Sequence, residues 1–512
     1  MPCSLLLLLT TASAAGFFHA EPSLGIFDGQ SDIGSVTHAG SVRYDDAKRS
    51  YVVAGSGENM WSTFDEFHFV WKKVAPGDVS ISADISLLTP TGNNHRKGVL
   101  MLRQSLDSDA AYVSATIHGD GLASLQSRPE KGANTYEIQS SRSRPRMLRL
   151  VKHGSFVYMF AGNSRADLAF SGGSMRVKWN QPFYVGIGAC AHDKEGLVDV
   201  AFDHVRLESP VPGALSKLQR VSTIETVPFP SGDRRAIYAA EGALRGPTWD
   251  HDGTSLIVSR EGRIERVPIA PGKAVESIPT GGEADPPCDS FQGLSPDGKR
   301  LAISCGARPS VYVVRLDGTK PAWKRITHKV PTVWHSWSPD GKWLLYTIER
   351  KPGKHDFDRI ASAGGGRETR LTANGTSDNP EYSPDGKYIY FNSDRGNNGT
   401  MQIWRMPSSG SGAAEQLTSD DFNNWYPHPS PDGRRILMMS CDKSIKGPPE
   451  DREVLLRVYT PETSKFQVIA RVSIGGRGTI DSPAWSHDGR RIAFVSYQFL
   501  PSRLMVEKGS PE

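Results

Sequence analysis

The sequence predicts an all-β protein of two domains, a two-sheet β-sandwich followed by a six-bladed β-propeller. Three observations carry this. Asp-Gly pairs recur at 252, 297, 340, 385, 432 and 488, at intervals of 45, 43, 45, 47 and 56 residues, the period of one four-stranded blade per repeat. Turn formers are abundant, with 51 Gly and 35 Pro in 512 residues, as short strands joined by tight turns require. Before the repeats, from about Leu24 to Ser209, strand-like runs follow one another without a period and are separated by Gly, Asn, Asp and Ser, which fits two packed sheets.

In chain order, the first segment is 1–14. Leu5 to Leu9 lead into Ala12-Ser13-Ala14, an apolar run with a small-x-small cleavage pattern, so a signal peptide and a periplasmic or secreted protein are expected. No later run approaches the ~18 apolar residues of a membrane span, so a membrane-spanning protein is not expected. Lys and Arg number 60 against 56 Asp and Glu, a net charge of +4 without long runs. That balance lacks the basic stripe that phosphate backbones need, which argues against a nucleic-acid partner.

Residues 22–209 form the expected sandwich, with strands over His68–Trp71, Val79–Ile85, Val99–Leu102, Tyr112–Ile117, Met147–Val151, Phe156–Phe160, Tyr184–Ile187 and Val198–Phe202. Alternation in Tyr112 to His118 turns Val113, Ala115 and Ile117 to the core. The opposite face carries Tyr112, Ser114, Thr116 and His118, joined by Arg103, Gln104, Gln126 and Arg128 of adjacent strands. Arg103, His118 and Arg128 on such a face are candidate ligand-binding residues, since planar polar groups match sugar hydroxyl pairs. Alternatively these side chains satisfy one another between strands. Pro210-Val211-Pro212-Gly213 breaks the pattern, and 210–220 is the expected linker.

Residues 221–512 form the propeller. Each Asp-Gly turn is followed by a strand, as in Leu344-Leu345-Tyr346 or Ile389-Tyr390-Phe391. The last repeat is expected to end after a third strand near Leu504 to Glu507, and the unpaired run at about 222–228 to fill the vacancy and close the ring. Cys288 and Cys305 sit symmetrically about the turn at Asp297. They either form a disulfide in an oxidising compartment or remain two buried thiols.

The segments leading into the turns should line the central channel. They hold Asp289 and Gln292, Trp334 and His335, Asp378 and Asn379, Asn424, Trp425 and His428, and Asp481, with Arg245 and Arg477 in the first and last. Polar and aromatic groups converging on one axis suggest a ligand site. Packing between blades is the alternative for each of them singly.

Trp337-Ser338-Pro339-Asp340-Gly341-Lys342 and its copies resemble the WD40-like blades of the TolB family of exported propellers. The residues Asp65 to Trp71, His95-Arg96-Lys97-Gly98, Met101 to Ser105, His118 to Gly121, Gln126-Ser127-Arg128 and Val200 to Val205 resemble the concanavalin-like lectin/glucanase jelly roll. These resemblances imply an exported protein that binds a glycan, a cell-envelope polymer or a protein partner, without a cofactor. Tyr426-Pro427-His428-Pro429 and Trp334-His335-Ser336-Trp337 resemble the His-bearing segments of oligogalacturonate lyases. That likeness implies an alternative, a polysaccharide lyase. Its base would be His335 or His428, its cation Arg245 or Arg477, and a divalent metal would sit on His335, His428 and Gln292.

Overall fold

A computed structural model describes residues 23–211, 216–279, 287–316, 322–373, 377–396 and 399–505. The leader expected at 1–14 and the middle of the linker lie outside them. Strands dominate the described residues. The helical segments among them are the short Arg165–Asp167 and Ser502–Met505.

The repeated motif makes a self-contained turn. In Ser338-Pro339-Asp340-Gly341, the Ser338 hydroxyl donates to Asp340 at 2.6 Å, and the same carboxylate oxygen accepts from Lys342 N at 3.1 Å. Trp343 N donates back to the Ser338 hydroxyl at 2.9 Å, and Gly341 N to the Ser338 carbonyl at 2.8 Å. Gly341 sits at φ 68, left-handed backbone that an L side chain resists. The copies at Asp385 and Asp488 repeat these bonds.

The tryptophan before the turn ties one repeat to the next. Trp337 Nε1 donates to Gly293 O at 2.9 Å, Trp485 Nε1 to His428 O at 3.1 Å and Trp249 Nε1 to Ala484 O at 3.0 Å. The last bond joins the first repeat to the sixth. An arginine of the neighbouring repeat covers the ring in two cases, Arg300 over Trp337 at 4.7 Å and Arg491 over Trp249 at 4.3 Å.

Five repeats form separate four-stranded sheets, spanning Leu244–Ile278, Cys288–Arg325, Thr332–Arg370, Ser377–Gln416 and Phe422–Gly475. Counted by free-standing sheets the described residues hold five blades, against the six expected. The sixth repeat's strand, Arg491–Pro501, belongs instead to a ten-stranded sheet. The third strand expected near Leu504 is replaced by the helix Ser502–Met505, whose Leu504 packs with Val211, Val221 and Leu500. Two N-terminal strands lie beside Arg491–Pro501. Leu218–Pro228 pairs with it antiparallel from Leu218↔Pro501 to Pro228↔Arg491, and Arg234–Glu241 pairs with Leu218–Pro228 in turn. Cys288 and Cys305 are cross-strand partners joined by a disulfide, their Cα atoms 4.1 Å apart.

The N-terminal half has two layers. One is a seven-stranded sheet including Val79–Leu87, Met147–His153 and Asp193–Glu208; the other is the first part of the ten-stranded sheet, including Lys97–Arg103, Tyr112–His118 and Ala123–Arg128. Ile81, Leu148 and Val200 meet Leu100, Val113 and Ile187 in one buried cluster between them. The ten-stranded sheet runs on into the propeller half, where Ile138 pairs in parallel with Arg234. Across this junction the Tyr158 hydroxyl donates to Phe499 O at 3.1 Å.

Candidate functional site

The inner strands share one irregularity. Pairing shifts register between Arg245 and Thr248, Cys288 and Gln292, Trp334 and Ser336, Asp378 and Glu381, and Trp425 and His428. At these bulges Gly246, Phe291, Asn379 and Tyr426 have φ of 57, 75, 53 and 54. Each lies six residues before its Asp-Gly turn. Bulges re-aim side chains next to binding sites, and Phe or Tyr in left-handed backbone is held there against its preference.

Phe291 is thereby carried across the ring, its ring centre 6.4 Å from that of Tyr426 in the fifth repeat. His335 meets Phe291 edge-on at 5.0 Å. On the side of the turns, a cavity of about 160 Å³ is lined by Thr248, Trp249, Glu381, Pro429, Ala484 and Trp485. On the leading side stand Asp378, Asp481, Arg245 and Arg477. Asp378 accepts from Thr347 Oγ1 at 2.7 Å and Asn379 N at 2.8 Å, and its Oδ1 lies 3.5 Å from His335 Nε2. Asp481 accepts from Gly478 N at 2.8 Å. The Arg245 stem lies against Gly478, and Arg477 is exposed. Burial draws the His335 imidazolium down to about 4 despite Asp378, so the ring is neutral at pH 7.

Other expected channel residues are committed to packing and to ties between repeats. Gln292 is buried and donates to the Gly246 and Ile257 carbonyls, both at 3.2 Å. Asn424 bridges Gln402, Asp420, Ser440 and Arg457. Trp334 covers Gly293 and Trp425 lies in a buried apolar cluster. Asn379 donates to Asn392 at 2.8 Å. The side chain of Asp289 lies outside the described residues.

His428 is held at both nitrogens, Nδ1 by Glu381 at 2.6 Å and Nε2 by the Ile480 carbonyl at 2.6 Å. Burial pulls its imidazolium down, but the Glu381 charge and these bonds outweigh it and leave His428 raised. With both edges spent, His428 offers no nitrogen to a metal or a reacting proton. Among the described residues no three His, Cys, Asp or Glu side chains converge as a metal site would need. Glu381 was not legible as a site residue, because its only signal is a carboxylate two residues before a Ser-Pro-Asp-Gly turn.

The expected open sugar face in the N-terminal half is covered. Val113, Ala115 and Ile117 do point to the core. Tyr112, Ser114, Thr116 and His118 are buried as well, and the Tyr112 hydroxyl donates to Met60 O at 3.2 Å. Arg103 and Arg128 are both 0% exposed and converge on Asp65: Arg103 Nη1 at 2.7 Å, and Arg128 through Nη1 and Nη2, each at 2.8 Å. Arg103, Arg128 and Asp65 thus form a buried ionic cluster. Beside it His118, Lys97, Gln126 and Glu137 form a second polar group.

No protein-family model matches the chain. It is 34% identical over 299 residues to an uncharacterized protein of Agrobacterium fabrum, covering 57% of this chain and 97% of that protein. A solved structure provisionally named TolB, from Agrobacterium tumefaciens, is similar with a TM-score of 0.50 and 33% identity, over 55% of this chain and 99% of that one. TolB from Acinetobacter baumannii is similar at 19% identity and a TM-score of 0.39, over 51% of this chain and 65% of that one. No helix among the described residues is long and apolar enough to cross a membrane.

Proposed function

Because the chain belongs, through its propeller half, to the TolB-like family represented in Agrobacterium, we propose that it is an exported binding protein. In this reading the leading face of the propeller docks a protein or glycan partner, and the last repeat with its two N-terminal strands acts as a sixth blade. The N-terminal layers, read as a concanavalin-like sandwich, serve as a carbohydrate-binding module. The observation that carries the reading is the repeated left-handed bulge. Phe291, Asn379 and Tyr426 each hold a backbone that costs on the order of 1–3 kcal/mol. A ring that only had to pack would lose these outliers, whereas one that holds Asp378 and His335 beside the Phe291 and Tyr426 rings for a ligand needs them. The Cys288–Cys305 disulfide agrees with an oxidising compartment, and N-terminal sequencing of exported protein that begins after residue 14 would support export. A lyase is the weaker reading, since the His428 nitrogens are already taken.

The test is a glycan array and a peptide-display library screened with the full chain. A recovered ligand should bind at least tenfold more weakly to an Asp378→Ala/Arg477→Ala variant. A ligand indifferent to that pair, or no ligand from either library, counts against the leading face.

A further inference from the structure

The buried polar face of the N-terminal half contains a cluster of side chains with unused hydrogen-bonding capacity. Lys97, on Lys97–Arg103, lies directly opposite His118 on Tyr112–His118, with Cys190 on its other flank. Lys97 is 2% exposed, and Asn59 Oδ1 at 3.0 Å is the partner of its ammonium group. Asn59 Oδ1 also accepts from Met60 N. Among the described residues no carboxylate lies within ion-pair distance of Lys97; burial holds its ammonium below the usual lysine range, and the more distant Glu137 and Asp65 only partly offset this. An ammonium has three donors, so two are unspent here.

The neighbouring groups are in the same condition. Gln126 Nε2 donates to Glu137 Oε1 at 3.0 Å and faces His118 Nε2 at 3.3 Å. That assignment makes His118 Nε2 the acceptor and puts its proton on Nδ1. His118 Nδ1 is buried and has no partner, and neither has Gln126 Oε1. Both residues are more than nine-tenths buried. Burial, then the charge of Lys97, hold the His118 imidazolium down to about 3, so this ring is a neutral donor across the physiological range. Together these groups offer an ammonium whose charge burial disfavours until an anion joins it, and a neutral N–H beside an unfilled acceptor. Buried polar atoms are seldom left unpaired, and here they cluster. Glu137 is partly exposed, braced by Gln139 at 3.0 Å, with Tyr136 beside it at 52% exposure. His95 stands at the surface, exposed, with its ring centre 5.9 Å from His118 and 5.3 Å from His192.

We propose that these groups line a pit that binds the carboxylate of a hydroxy acid. Lys97 Nζ and His118 Nδ1–H hold the anionic oxygens, and Gln126 Oε1 accepts a hydrogen bond from a hydroxyl group. His95, at the surface, swings aside to admit the ligand. A hexuronic acid and a small free hydroxy acid share this chemistry. The sugar form rests on the carbohydrate reading of the N-terminal half, while the carboxylate pit stands without it.

The experiment is calorimetric titration of the full chain with D-glucuronate, D-glucose and L-malate. Lys97→Met and His95→Trp are titrated in parallel, and circular dichroism verifies their folding. Glucuronate should bind at least tenfold more tightly than glucose, and Lys97→Met should abolish the difference. His95→Trp alters only an exposed side chain, so it tests the doorway even if Lys97→Met fails to fold. Malate binding without glucuronate binding supports the pit and removes the sugar reading. Glucose binding as well as glucuronate, unaffected by either variant, keeps the sugar reading and overturns the pit. Silence from all three ligands overturns it too.

Discussion

Two clusters of buried charge lie side by side on one face of the same sheet, and they are built on opposite plans. Around Asp65 two guanidiniums share one carboxylate, and backbone carbonyls of Ser62, Asp107 and Ala133 take further N–H groups. Around Lys97 an ammonium has one amide oxygen, and the imidazole and amide next to it each keep an idle buried atom. Both plans remove charge from water, which costs several kcal/mol per ion unless partners replace the solvent. The first cluster finds partners within the chain for its carboxylate and for every guanidinium nitrogen but Arg103 Nε, and reads as architecture. The second lacks them and reads as a place for something else. Burial alone does not separate a structural charge from a functional one; the hydrogen-bond inventory does.

The largest way to break this contrast is Asp65→Asn, which leaves two buried guanidiniums facing a neutral amide. Unfolding in urea should show a loss of about 3–5 kcal/mol. A loss below 1 kcal/mol, on the order of an exposed pair, would mean that the Asp65 cluster is not what holds this face. The propeller offers a second saturated pair for comparison, His428 with Glu381. His428→Asn should destabilise by about 3 kcal/mol, and the effect should depend on pH. Burial raises the Glu381 carboxyl even against His428, and the His428 imidazolium is also raised. Groups with raised folded values contribute stability that is present at low pH and lost as pH rises through those values. From about pH 6.5, the ordinary imidazole range, upward, native protein should lose stability more steeply than the variant, as followed by thermal melts from pH 6 to 9. Parallel curves would remove the pair from the account. The smallest effect is expected at Ser338→Ala. It deletes a turn hydroxyl that both donates and accepts and should cost about 1 kcal/mol by the same denaturation.

The propeller was readable because its physics is local and repeated. Ser-Pro-Asp-Gly closes a turn with its own atoms, so each copy announces a hairpin whatever surrounds it. The position of the strand at 222–228 beside the last repeat follows from the same count of strands. What could not be read was how the last repeat ends. Sequence alone does not distinguish a strand at Leu504 from a helix that packs Leu504 against the N-terminal half. Nor does it reveal that the same sheet continues through Arg234–Glu241 into Tyr136–Gln139. Among the site residues, His335 and Asp378 do stand together, because each leads into a repeat of known phase. His428, Asn424 and Gln292 have the same phase but are consumed by neighbouring repeats, a matter of distances that no spacing rule carries. Arg103 and Arg128 were placed on the correct face, yet the segment that brings Asp65 between them comes from elsewhere in the chain. Lys97 sits within His95-Arg96-Lys97-Gly98 without distinction, since a lysine short of partners looks in sequence like any other.

The most direct test is one variant measured twice. Lys97→Met removes a buried, under-partnered charge, so the unfolding free energy in urea should stay within about 1 kcal/mol of native or rise, as when groups retained for function are replaced by apolar ones, while glucuronate binding disappears. A loss of stability as large as that of Asp65→Asn, with ligand binding left intact, would contradict the distinction drawn between the two clusters.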